Sequence, residues 1–260
     1  MTLAHMPDDI AIPAIGWTSP LRWLALGARD LRRNPRPGLL HGFLLALFGI
    51  ILLVGVRNQF WLLVGAFSGF LMVAPILATG LYAVSRAGAQ GHSVCCAEVI
   101  EIWTSGDRRL IAFGLLLCLA GTGWVLTSAG LITLWAEQPV RAPVDFLRHV
   151  VLAPSPGLFE VWLLLGALLA APVFASTVIT LPLLVDTQLP LWVAVGESWR
   201  AVGSHPVPMA LWGLVIALLV GLGMATFMLG LVVVIPLVGH ASWYVYQDMR
   251  RTGAIRTEIA

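Results

Sequence analysis

The sequence predicts an all-α polytopic membrane protein. Its six transmembrane helices form three helical hairpins, each preceded by a helix lying at the cytoplasmic interface. Three observations predict this. Of the 260 residues 59% are hydrophobic and only 11% are charged, with a mean hydropathy of +0.91. A soluble domain carries about 25% charge, so this chain lacks the polar groups to clothe a globular surface. Uncharged stretches of bilayer-crossing length recur, and the arginines gather on one side of them. A soluble enzyme, a disordered segment and a secreted disulfide scaffold are thereby excluded.

Residues 1–37 read as a cytoplasmic segment. Asp8 and Asp9 interrupt it and no apolar core follows, so it is not a cleavable signal peptide. A transmembrane domain is expected over 38–247 and a cytoplasmic tail over 248–260. Crossing about 30 Å of hydrocarbon takes about 20 apolar residues. Stretches of that kind lie at 38–56, 60–84, 110–135 and 161–185. The last, 201–247, holds no formal charge with its histidines neutral. Even from Met209 it would make a helix roughly 58 Å long, so it must fold back as two spans. Gly221, Gly223, Thr226 and Gly230 place that turn between 221 and 230.

All 15 basic residues are arginine. With both termini inside, only Arg57, Arg141 and Arg148 fall outside, which fixes the orientation by the positive-inside rule.

An amphipathic stretch precedes the first, third and fifth spans. The first, 21–33, aligns Leu21, Leu24, Ala28 and Leu31. The second, 94–103, sets Glu98 and Glu101 opposite Val99 and Ile102. The third, 191–202, aligns Trp192, Val195, Trp199 and Val202. Apolar residues at this spacing, bordered by charge and Trp, suit an interfacial helix. Proline in the second helix of each pair (Pro75; Pro172 and Pro182; Pro236) predicts a kink. The repeats are parallel, not inverted.

Several segments carry a resemblance to a known family: PLRWLALGARDL at 20–31, PILATGLY at 75–82, Leu181-Pro182 followed by Asp186, and PLVGHASWYVYQD at 236–248. Over 20–248 the chain resembles an uncharacterised bacterial integral-membrane family, domain of unknown function 2189. The resemblance implies a six-helix fold in a bacterial inner membrane and no established activity.

The candidate sites follow from residue chemistry. His41 and His240 are expected at one depth of the inner leaflet, where two imidazoles suit a haem, a metal or a proton relay. The competing reading is structural, each ring bonded to a backbone carbonyl. Adjacent Cys95 and Cys96 point about 100° apart on a helix, a poor metal geometry; Cys118 is a core residue. Thr177 and Thr180, with Pro75, Pro172, Pro182 and Pro236, would line any cavity at the kinks. Gly65 and Gly69 are the small pair expected to pack helices closely. The outer loop 136–157 carries a short helix at 144–151 and offers a surface to a periplasmic partner.

No phosphate loop, nucleophile elbow or His-Glu metal motif occurs, and the expectation is not an enzyme. The leading reading is a structural or accessory component of a membrane complex, for instance a respiratory one. Its partners are the lipid bilayer, other membrane subunits and a second copy of the chain, with no nucleic acid. The rival reading is a transporter or channel for a small neutral or lipid-like solute. The third is a haem protein using His41 and His240; the other two need no cofactor.

Overall fold

A computed structural model gives the structure and describes residues 14–55, 61–62, 64–66, 69, 77–89, 106–153 and 157–258. Among these residues the chain is helical, without a strand. α1 (Ser19–Arg33) turns into α2 (Pro35–Gly55) at Asn34. α7 (Leu191–Ser204) turns into α8 (Pro206–Ala225) at His205. Both elbows come from a proline that cannot continue the helix and that pushes the preceding residue out of the α region. Asn34 has φ −128° and ψ 67°, His205 φ −134° and ψ 59°. The same break at corresponding places supports the expected repeat. Its middle copy (94–103), with Pro75, Cys95, Cys96, Glu98 and Glu101, lies outside the described residues.

Between the elbows run α3 (Thr79–Ala89), α4 (Arg108–Trp135), α5 (Leu158–Thr177) and α6 (Thr180–Asp186); α9 (Leu231–Arg251) closes the chain. Among the described residues four units are long and apolar enough to cross a bilayer: α2, α4, α5 with α6, and α8. α9 packs as the return leg of the fold-back, but its second half (HASWYVYQDMRR) is polar. The turn falls at 226–230, inside the expected window. Phe227 and Met228 there take left-handed φ values of 53° and 69°. Thr226 Oγ1 donates to the Gly223 carbonyl and accepts from Gly230 N–H, both at 2.8 Å. Met228, buried against Ala46 and Leu231, fastens the turn to the bundle.

The core is centred on α9. Glycine sets its closest contacts, because a side chain would meet backbone there. A Cβ on Gly27 of α1 would lie 2.7 Å from Ala241 N, and one on Gly239 of α9 2.5 Å from Leu81 Cδ1. A Cβ on Gly42 of α2 would run into the Val232 carbonyl. For the expected pair, among the described residues, a Cβ on Gly65 would sit 4.0 Å from Val125 Cγ1 and one on Gly69 has none of them within 4 Å.

The helices expected at the interface bury a face other than the apolar one that the periodicity marks. α1 buries Trp23, Gly27 and Asp30 and leaves Leu21 exposed. α7 buries Ala194, Glu197, Ser198 and Ala201 while Trp192 and Trp199 face outward. On α7 small and polar residues make most of the protein contact, and Trp192 and Trp199 stay exposed, as tryptophans at a bilayer interface do.

Candidate functional site

Four helices meet around His240. Its imidazole, fully buried on α9, lies 2.7 Å from Ser85 Oγ of α3. Ser85 donates to Asp30 Oδ2 of α1 at 2.9 Å, and Tyr244 donates to the same oxygen at 3.0 Å. A hydroxyl carries one proton, and that of Ser85 goes to Asp30. His240 therefore donates its Nδ1–H to Ser85, and Nε2 is left as a lone pair in the neutral ring. Among the described residues no donor reaches that nitrogen. It faces the backbone of α2, 3.5 Å from the point where a Cβ on Gly38 would lie.

His41 sits one turn beyond Gly38 on α2 and is 2% exposed. Its Nδ1 lies 2.7 Å from the Pro37 carbonyl, which only accepts, so Nδ1 carries the proton. The two histidines that sequence reasoning singled out lie on helices packed against each other, α2 and α9, 199 positions apart. The flanking Asp30, Ser85 and Tyr244 were missed: each reads as an ordinary helix residue until three helices converge.

Around the junction, charges clasp the ends of the chain together. Arg22 pairs with Asp248, whose Oδ2 also accepts from Trp23 Nε1 at 2.7 Å. Asp186 accepts from Tyr246 at 2.6 Å and Arg250 at 2.9 Å. Arg109 bonds Asp107, the Leu184 carbonyl within α6 and the carbonyls of Thr187 and Leu189 beyond its end. Its side-chain hydrogen bond, outweighing burial, holds the Asp107 carboxyl below the usual carboxylate range. Glu197 takes Arg200 and the Arg256 N–H, folding the tail back so that Ile255 is buried.

The remaining candidates separate. Pro182 has no N–H for the Val178 carbonyl, and the fourth span breaks at 178–179 between α5 and α6. Ser198 of α7 fills the break: it accepts from Ile179 N–H at 3.2 Å and donates to the Ala175 carbonyl at 2.6 Å. Thr177 and Thr180 return their hydroxyls to Val173 and Ser176 of their own chain turn. Neither lines the groove of about 210 Å³ beside Pro172, which is walled by Leu117, Val173, Trp192 and Val195. Pro236 is buried against Gly38. Cys118 is exposed on α4, outside the core where it was expected, because its side of the helix faces away from the bundle.

The loop between α4 and α5 is helical over 143–151 and packs Val150 against Ile132, Val140 and Leu158. Backbone N–H groups of Arg141 and Ala142 lower the Asp145 carboxyl from its ordinary value.

Residues 62–186 match the family model of a predicted integral membrane protein, domain of unknown function 2189. The chain is an integral membrane protein. The DUF2189 match takes in the PILATGLY motif, Leu181-Pro182 and Asp186, but neither the opening 20–31 nor the ending 236–248. It therefore covers Ser85, while Asp30, His41 and His240 fall outside it. No curated protein and no solved structure matches the chain.

Proposed function

We propose that this chain is a non-enzymatic accessory component of a complex in the bacterial inner membrane, crossing six times with both termini in the cytoplasm. The observation that carries the reading is the outer face of α4. Only 17% of its most apolar window is buried. Among the described residues nothing lies within 4 Å of a Cβ built on Gly123 or Gly130. Thr122 and Thr127, on the same side, bond the Cys118 and Gly123 carbonyls of their own helix. A span that turns small residues outward with its polar groups satisfied suits close approach by another helix. Six crossings follow from the four qualifying units, α9 as the return leg and the stretch 60–84; the arginine distribution supports the orientation.

The test is an intact mass of the protein extracted from its native membrane in mild detergent. Additional polypeptides at fixed stoichiometry, cross-linked through Cys118, are expected. A mass of 28.0 kDa or a simple multiple, carrying lipid alone, would overturn the reading.

A further inference from the structure

We propose that the elbow between α1 and α2 is a docking site for an anionic glycerophospholipid, its phosphate held by arginines and its acyl chains lying along α2. Arg29, Arg32 and Arg33 stand at i, i+3 and i+4 on α1, so their side chains leave neighbouring turns on one side of the helix. Arg36 follows in the first turn of α2. All four are exposed. Asp30 is the one acid between Ser19 and Gly55. It is turned inward, where its Oδ2 accepts from Ser85 and Tyr244. Among the described residues none of the four arginines pairs with a carboxylate. Arg32 gives its Nε to the Ala28 carbonyl at 3.2 Å, which leaves its two terminal nitrogens for an anion.

The continuation along α2 selects the anion. From Arg36, positions i+3, i+4, i+7 and i+11 are Leu39, Leu40, Phe43 and Leu47, which share its side of the helix. These four are between 38% and 53% exposed, in a helix apolar enough to cross the bilayer, while Gly38, Gly42 and Leu45 on the opposite side are buried. A soluble anion or an acidic protein matches the arginines but not the apolar stripe that continues from them. A phospholipid matches both, with its phosphate at the end of the span and its chains running down it. The planar guanidinium fork suits a phosphate because it binds two oxygens at once. Each basic residue near an anionic membrane surface is worth about a fivefold change in affinity. The elbow between α7 and α8 repeats the backbone with one arginine, Arg200, whose guanidinium is taken by Glu197. This site is distinct from the face of α4 on which the accessory role rests.

The experiment reconstitutes the full-length protein in phosphatidylcholine vesicles, where spin-labelled phosphatidylglycerol and phosphatidylcholine report which headgroup is held at its surface. A preference for phosphatidylglycerol is expected, with a higher melting temperature once that lipid is added. Arg33→Gln combined with Arg36→Gln should lower the preference about fivefold or more and reduce the thermal shift. Arg200→Gln, at the matching elbow, should change neither. Both substituted arginines are exposed, so the double variant should melt in phosphatidylcholine alone where the parent does, which separates a lost site from a lost fold. The unsubstituted protein gives a readout free of folding effects: phosphatidylglycerol with a photoreactive acyl chain, added at one equivalent in detergent, should label α2 within 39–47. No preference for phosphatidylglycerol, an equal preference in the double variant, labelling confined to other helices, or displacement of the lipid by inorganic phosphate would each overturn the proposal.

Discussion

Ser85 Oγ stands between the His240 ring and the Asp30 carboxylate, 2.7 Å from one and 2.9 Å from the other. One hydroxyl thus joins an interfacial helix to two helices of the bundle. Removing it by Ser85→Ala leaves a buried N–H without an acceptor, and Asp30 keeps only Tyr244 of the two. A loss of about 1–3 kcal/mol in stability is expected. Thermal unfolding in detergent, followed by tryptophan fluorescence, measures it; an unchanged midpoint would mean the relay does not bear on the fold.

Asp248 holds α1 to α9 through both Arg22 and Trp23. Asp248→Ala strands a guanidinium and an indole N–H together. Arg22 remains about a third exposed, so water recovers part of the loss. The expected destabilisation is about 1–3 kcal/mol, with limited proteolysis opening first after Arg33. Cleavage that starts elsewhere would show that the clasp is not what fixes α1.

The glycine contacts predict a contrast within one residue type. Gly42→Ala forces α2 away from the Val232 carbonyl and should cost about 1–3 kcal/mol as overpacking. Gly69→Ala and Gly123→Ala, which meet none of the described residues within 4 Å, should leave the melting temperature nearly unchanged. Equal losses in all three variants would contradict the assignment of the close crossing.

Phe227 sits at φ 53° and is exposed, so its side chain contributes little to hold it there. A left-handed conformation costs a non-glycine residue roughly 1–2 kcal/mol, offset in part by the greater unfolded-state freedom of glycine. Phe227→Gly should therefore raise the melting temperature slightly. A fall would mean that the ring packs usefully in the membrane.

Asp107 gives the acid dependence a sign. Its carboxyl is depressed in the folded state by Arg109, so its contribution is present above the unfolded value and is lost as pH falls through the folded one. Stability measured from neutral pH down through the carboxylate range should fall more steeply in the parent than in Asp107→Asn. Parallel curves would show that the Asp107–Arg109 bond contributes nothing to folding.

Much of this was legible in the chain because the bilayer demands apolar residues in lengths that a sequence displays directly. Pro35 and Pro206 announce the two elbows, since the missing N–H and the ring act on the residue before them. The turn at 226–230 was bracketed by an arithmetic of helix rise. Inner faces were less legible. Periodicity marks the apolar side of α7, yet in a membrane Trp192 and Trp199 lose nothing by facing lipid, and Ala194, Ser198 and Ala201 take the contact instead.

What the sequence by itself determined is membrane residence, the helical class, the placing of elbows and kinks, and the interest of His41 and His240. Each depends on covalent chemistry or local hydropathy, which neighbours in the chain already state. Tertiary structure alone decided that His240 meets Ser85 and Asp30, that Ser198 repairs the break before Pro182, and that Gly42 lies against the Val232 backbone. Those outcomes depend on which helix lies beside which. Hydrocarbon treats all apolar faces alike, so the choice of neighbour rests on shape and a few hydrogen bonds between residues far apart in the chain.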